Sequence, residues 1–281
     1  MFMPDALRFQ SVSKKYGALH ALSSVSFSVK QGEFFALLGQ NGAGKTTLIG
    51  CLAGLSRRSG GEIFVFGEDP EKNPVYTKNK LGVVPQELTF DPFFTPLETL
   101  RFQRGLFGLK KNDEYLAWLL QKLSLFDKRN TESRRLSGGM KRRLMIAKAL
   151  VHEPSILILD EPTAGVDVDL RRNLWDFLRE LQEKKGMTIL LTTHYLEEAE
   201  ALSHRVAVLH NGNIVVCEDT KKLLKNKNRI LEIEKTNGSV KTQEIPPEAN
   251  IADILSREKE VVNIRIREPK LEDIFLEITQ S

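Results

Sequence analysis

Residues Gly39-Gln40-Asn41-Gly42-Ala43-Gly44-Lys45-Thr46-Thr47 satisfy the spacing G-x-x-x-x-G-K-[ST]. Each position has a chemical reason. Glycines let the main chain fold tightly and turn several N–H groups inward, which suits a chain of phosphates. Lys45 adds a compact positive charge for the β- and γ-phosphates of a nucleoside triphosphate, and the Thr46 hydroxyl is a ligand for Mg²⁺. The context strengthens the match. The apolar run Phe34-Phe35-Ala36-Leu37-Leu38 precedes it and the apolar helix Leu48-Ile49-Gly50-Cys51-Leu52 follows, so the loop ends on a helix N-terminus with its positive dipole end.

Two further groups sit on comparable junctions. Asp160-Glu161 closes the apolar run Ile156-Leu157-Ile158-Leu159. Alone, an acidic pair after a strand fits many proteins. Beside a phosphate loop, Asp160 reads as a group that holds Mg²⁺ through water and Glu161 as the base for an attacking water. Leu136-Ser137-Gly138-Gly139-Met140-Lys141-Arg142-Arg143 opens a helix that runs toward Pro154, with Ser137 as N-cap and two glycines exposing the first turn. It is either a plain capped helix or a second anion site, on a different helix from the phosphate loop.

The elements that must position these groups are legible. Thr188-Ile189-Leu190-Leu191-Thr192-Thr193, ended by His194, joins the two apolar runs above as a strand buried on both faces. Such runs alternating with helical patterns predict an α/β domain with a largely parallel sheet and a ligand at the strands' carboxyl ends. Leu116, Leu119, Leu120 and Leu123 form one apolar helical face. Leu88 to Thr99, with Phe90, Phe93, Phe94, Asp91, Pro92 and Pro96, reads as an aromatic-rich loop. From about Lys227 the character changes. Ile230–Glu234 and Val262–Arg267 read as strands, Pro246-Pro247 breaks the chain between them, and Leu271, Ile274, Phe275 and Ile278 share a helical face, giving a small α+β appendix.

The order of motifs resembles the nucleotide-binding domain of ABC transporters. The phosphate loop comes first, then Gln86 after the strand Leu81 to Val84, the Leu136 to Met140 signature, Asp160-Glu161 and His194, over roughly Leu7 to Thr220. The resemblance implies a P-loop NTPase fold: an ABC ATPase domain over 1–226 with a mixed sheet core, a helical signature subdomain at about 88–153 and the accessory region 227–281. It implies ATP and Mg²⁺ as cofactors, with Thr46, Gln86 and Asp160 toward the metal and Tyr16 stacked on adenine. Glu161 would be the base and His194 the γ-phosphate switch, while Gln86 would also sense the transport subunit. Two copies would pair head to tail, so that Ser137, Gly138 and Gly139 serve the ATP on the partner's phosphate loop. Ala164-Gly165-Val166-Asp167 would cross that interface. Met140 stands where the family usually has glutamine, and Ala-Gly-Val-Asp where Ser-Ala-Leu-Asp is commoner. The phosphate-facing groups and the aspartate are kept.

Ser137–Leu144 and Pro269–Phe275 resemble the subfamily that pairs with type-2 exporter permeases. The expectation is an ATPase subunit on the cytoplasmic face of a membrane, held there by an integral permease. The alternatives are an ABC ATPase acting on DNA or ribosomes, and an ATP-driven regulatory module. Composition bears on these. A net charge of +4 across 281 residues decides little: a nucleic-acid binder more often shows a basic stripe, and a solvated surface explains this excess equally well. No apolar run approaches the roughly 20 residues of a membrane span, and the N-terminus lacks the pattern of a signal peptide. Cys51 and Cys217 form no CxxC pair and suit a reducing compartment.

Overall fold

The computed structural model describes residues 4–87, 89–163, 168–256 and 258–280, with the side chains of 168–170 and 280 outside the description. The chain divides into two compact units, Met1–Cys217 and Glu218–Ser281.

In the first unit, β1 (Asp5–Tyr16) and β2 (Leu19–Lys30) pair antiparallel, with Phe9 opposite Phe27 and Val12 opposite Val25. The chain then enters β3 (Phe34–Leu38), buried along its whole length, and passes through the phosphate loop into α1 (Lys45–Leu52). Strand β4 (Gly60–Val65) returns beside β1 to complete a three-stranded antiparallel sheet. Next come α2 (Pro74–Lys80), β5 (Leu81–Val84), α3 (Pro96–Leu106), α4 (Asp113–Lys122) and α5 (Gly138–Leu150). The unit closes with β6 (Ile156–Asp160), α6 (Val168–Lys185), β7 (Thr188–Thr193), α7 (Leu196–Leu202), β8 (Arg205–His210) and β9 (Asn213–Asp219).

A six-stranded sheet, in the order β5-β6-β7-β3-β8-β9, forms the centre. Its first five strands run parallel. The link from β8 to β9 is Asn211-Gly212, both at positive φ (47° and 75°), the backbone that a two-residue hairpin turn demands. Alternate residues of the parallel strands feed two cores. Phe34, Leu157 and Ile189 face a core built with α4, α5 and α6, while Phe35, Ile158 and Leu190 face one shared with α1 and the antiparallel sheet. Stacked rings Phe9, Phe27 and Phe35, with centroids 4.4 and 5.3 Å apart, tie that second sheet to the first. Because β3, β6 and β7 are parallel, the phosphate loop, Asp160-Glu161 and His194 emerge at one edge.

The apolar runs at 34–38, 81–84, 156–160 and 188–193 form the expected strands, and Leu116, Leu119, Leu120 and Leu123 are buried. One expectation is corrected. The loop expected over Leu88 to Thr99 ends at Thr95, and Pro96–Thr99 form the first turn of α3. Thr95 accepts from the Glu98 N–H at 3.3 Å, and the Glu98 carboxylate accepts from the Thr95 N–H at 2.9 Å. Within that capping box Pro96 starts a helix and does not break one.

The second unit holds α8 (Thr220–Lys225), β10 (Arg229–Lys235), β11 (Val240–Ile245), α9 (Ile251–Leu255), β12 (Val261–Arg267) and α10 (Leu271–Gln280). Its antiparallel sheet runs β11-β10-β12 and packs Leu231, Ile233 and Ile245 against Ile251, Ile254 and Leu255. Strand β11 was not foreseen, because VKTQEI is largely polar and its burial pattern is almost wholly exposed. No described helix is long and apolar enough to cross a membrane.

Candidate nucleotide site

The phosphate loop has its shape because side chains are excluded from it. Gly44 stands at φ 110° just before α1, and a Cβ there would lie 2.6 Å from the Ala21 carbonyl oxygen. At Gly39 a Cβ would lie 2.5 Å from the Leu209 carbonyl oxygen. The loop thus runs against β2 and β8 with no room to spare. Gln40, Asn41 and Gly42 are exposed above it, and Ala43 is buried beneath. An open cleft of about 510 Å³ is lined by Lys45, Thr46, Thr47, Gln86 and Glu161. Tyr16, 49% exposed, stands at its mouth with the Lys14 ammonium 4.6 Å from its ring centroid. Asn211 and Gly212 also line the cleft. They were missed in the sequence because a hairpin turn carries no phosphate motif.

Lys45 is 5% exposed and donates to the Gly39 carbonyl at 2.7 Å and the Gln40 carbonyl at 3.2 Å. Burial pushes its ammonium below the ordinary lysine range, opposed by the charges of Glu161 and Asp160. Glu161, also 5% exposed, is the hub of the site. Its carboxylate lies 3.3 Å from His194 Nδ1, 3.3 Å from Gln86 Nε2 and 3.7 Å from Lys45 Nζ. Its backbone is in the left-handed region at φ 51°, a conformation costing about 1–3 kcal/mol for a residue with a side chain. Asp160 lies one residue earlier at 1% exposure and accepts from the Thr192 hydroxyl.

The structure therefore brings Gly39–Thr47, Gln86, Asp160, Glu161 and His194 to one place, with Tyr16 at the rim. It does not bring Ser137, Gly138 or Gly139 to this cleft. They open α5, where Ser137 accepts from the Met140 N–H at 3.3 Å and both Ser137 and Gly138 are exposed. Ala164-Gly165-Val166-Asp167 lies outside the described residues.

Behind the cleft is a group that sequence reasoning passed over. Glu198 on α7 is fully buried and accepts from Thr163 Oγ1 at 3.2 Å and Trp175 Nε1 at 3.1 Å. Burial raises its carboxyl above the ordinary range, opposed by hydrogen bonds from Thr193, Trp175 and Thr163 and by the Arg171 charge. A folded-state pKa raised in this way contributes stability that is fully present below the unfolded value and is lost as pH rises through the folded one. Glu198→Gln is neutral throughout and keeps one acceptor and one donor for the same partners. We expect its thermal midpoint to exceed that of the native protein at pH 8, by about 2–4 °C for each kcal/mol released. The gap should narrow toward pH 5. Parallel melting profiles across that range would refute the account.

The residue 22–164 segment matches the family model described as ABC transporter. The chain is 37% identical over 292 aligned positions to Nod factor export ATP-binding protein I of Burkholderia thailandensis, covering 96% of each chain. The chain belongs to the ABC transporter family. It is an ATP-binding cassette of the ATPase class. Linearmycin resistance ATP-binding protein LnrL of Bacillus subtilis is 38% identical over 211 residues, covering 74% of this chain and 68% of that one. Among solved structures, the dimeric ABC transporter cassette MJ0796 superposes with a TM-score of 0.71 at 26% identity, covering 76% of this chain and 98% of that one. The same cassette in a dimeric post-hydrolysis state bound to ADP and Pi gives 0.69 at 27% identity, with the same coverages.

Proposed function

We propose that this chain is the ATPase subunit of an exporter, working as a head-to-tail pair docked on an integral membrane permease. The observation that carries the reading is the match along 96% of both chains to a protein named for export. Two features of the surface support it. A Cβ added at Gly138 would meet nothing within 4 Å, so no packing among the described residues requires that glycine. Open space there leaves room for an outside group to approach the N-terminus of α5 closely, and the phosphate-bearing cleft of a second copy fits that role. The other feature is a groove of about 540 Å³ next to Gln86, walled by Leu55, Val83, Leu106, Phe107 and Met145. Its lining includes Lys78 and Lys148 and no carboxylate. Lys148 is half-buried, its ammonium is lowered by desolvation, and it has no acidic partner among the described residues. An apolar permease segment carrying a carboxylate complements this groove.

The donor set fits Mg²⁺. Thr46, Gln86 and Asp160 offer hard oxygen ligands. Among the described residues no group of three or more His, Cys, Asp or Glu could hold a metal by itself. The cation would thus be shared with phosphate oxygens, and it would neutralise charge between the β- and γ-phosphates. The loop N–H groups and Lys45 hold the phosphates. Glu161 takes the proton from the attacking water, and His194, 3.3 Å from Glu161, stands at the γ-phosphate. Binding of ATP at the shared interface favours the closed pair, and release of phosphate reopens it.

The test is recovery from gently solubilised native membranes, with ATP and Glu161→Gln protein as bait, read by mass spectrometry. A polytopic membrane protein recovered by this bait and depleted at least about 10-fold when Lys148→Glu is added supports the reading; such a loss corresponds to about 1.4 kcal/mol. Ribosomal or DNA-bound partners without a membrane protein would overturn it.

A further inference from the structure

Arg142 lies on α5, one turn from the exposed Gly138, yet its side chain is 4% exposed and points into the molecule. Among the described residues its guanidinium meets no carboxylate directly. One terminal nitrogen donates to the carbonyls of Pro85 (2.6 Å) and Gln86 (3.0 Å). The other donates to the carbonyls of Asp160 (3.3 Å) and Glu161 (2.6 Å). The four N–H bonds of the two terminal nitrogens are thereby used, in two consecutive pairs, on two segments far apart in sequence. A planar, rigid fork holds such pairs at a set distance and angle. Burial lowers its pKa while the charges of Asp160 and Glu161 raise it, so the nearby acids help keep the cation inside.

Glu161 needs holding. Its left-handed backbone persists only where the surroundings over-determine it. Its N–H donates to the Thr192 carbonyl at 3.0 Å, and its own carbonyl accepts from Arg142. The Gln86 side chain, whose main chain the same guanidinium grips, touches the Glu161 carboxylate at 3.3 Å. Arg142 thus sits behind two side chains that meet in front of it.

We propose that Arg142 is a positioning residue for hydrolysis, a clamp that makes Gln86, Glu161 and the N-terminal end of α5 move as one body. The proposal rests on the reading of Glu161 as the base. Given the pairing of two copies, it adds a consequence. An ATP gripped by the first turn of α5 from the opposite copy is one helical turn from the group that sets Glu161 in this copy, so each site orients the base of the other.

Arg143 supplies the control. It is also buried, at 8% exposure, but its guanidinium donates to the Leu123 carbonyl at 2.8 Å, at the C-terminal end of α4, and to the Gly139 carbonyl of its own helix at 3.4 Å, with no hydrogen bond to the carbonyls of 85, 86, 160 or 161. The experiment compares Arg142→Lys and Arg143→Lys in the full chain by kcat, KM and Kd for ATP, and thermal midpoint. A lysine ammonium cannot span two carbonyl pairs. Arg142→Lys should lower kcat by about 10²-fold, the effect of misplacing a catalytic group by about 1 Å, with Kd within about twofold of the native value. Arg143→Lys should lose a similar amount of thermal stability and keep kcat within about twofold. If Arg142→Lys does not fold, Arg142→Gln, whose amide reaches one carbonyl pair only, takes its place. A native kcat in the folded Arg142 variant, or equal losses of kcat in both variants, overturns the clamp. Normal hydrolysis by Glu161→Gln would instead overturn the base on which it rests.

Discussion

Lys45→Ala is expected to abolish turnover and weaken ATP binding by about 10²–10⁴-fold. The ammonium is the one described cation inside the phosphate loop, 5% exposed and 2.7 Å from the Gly39 carbonyl. Each charge-assisted hydrogen bond it makes to phosphate is worth about 1.5–3 kcal/mol, and two of them give the stated range. Part of the cost of burying this charge is already met in the free protein, since its pKa lies below the ordinary value through desolvation. Phosphates reverse that shift, so ATP binding favours the protonated lysine. ATP affinity should therefore fall as pH rises through the lysine's lowered value, beginning below 10.5. Equilibrium binding of a fluorescent ATP analogue across the alkaline range measures both effects. Native-like affinity in Lys45→Ala would remove the lysine from the phosphate site.

Glu161→Gln is expected to separate binding from chemistry. The amide keeps the shape of the carboxylate and its reach to His194 and Gln86, each 3.3 Å away, while losing the capacity to take a proton. A positioned base contributes about 10²–10⁴-fold, and the hydrolysis rate should fall by that factor. Affinity should hold or rise, because the substitution removes a negative charge 3.7 Å from Lys45 Nζ, beside the phosphates. Unhydrolysed ATP then leaves the closed pair populated. Light scattering after size exclusion should show a dimer with ATP and a shift toward monomer with ADP. Hydrolysis at the native rate would show that the proton goes elsewhere.

The residues legible in the sequence are those whose role local chemistry dictates. The spacing of Gly39, Gly44, Lys45 and Thr46 admits few uses, and the continuous apolar strands at 34–38, 156–159 and 188–193 announce a sheet buried on both faces. The first antiparallel sheet was less visible. Burial in β1 alternates irregularly, with positive φ at Ser11 in the middle, so no clean period survives. Pro96 reads as a turn former by residue type, yet Thr95-Pro96-Leu97-Glu98 already carries the T-x-x-E spacing of a capping box with proline at the first helical position.

The sequence alone determined the reagents: a phosphate loop, two acids after a strand, a histidine after another and a capped glycine pair. Local residue type and spacing encode these directly. Only the tertiary structure decided their arrangement. The parallel pairing of β3, β6 and β7 puts Lys45 and His194 each within reach of Glu161, leaves the glycine pair of α5 outside the cleft, and turns Arg142 inward to the carbonyls of 85, 86, 160 and 161. Such contacts join residues up to about 150 positions apart and depend on which strand lies beside which, and no local pattern carries that information.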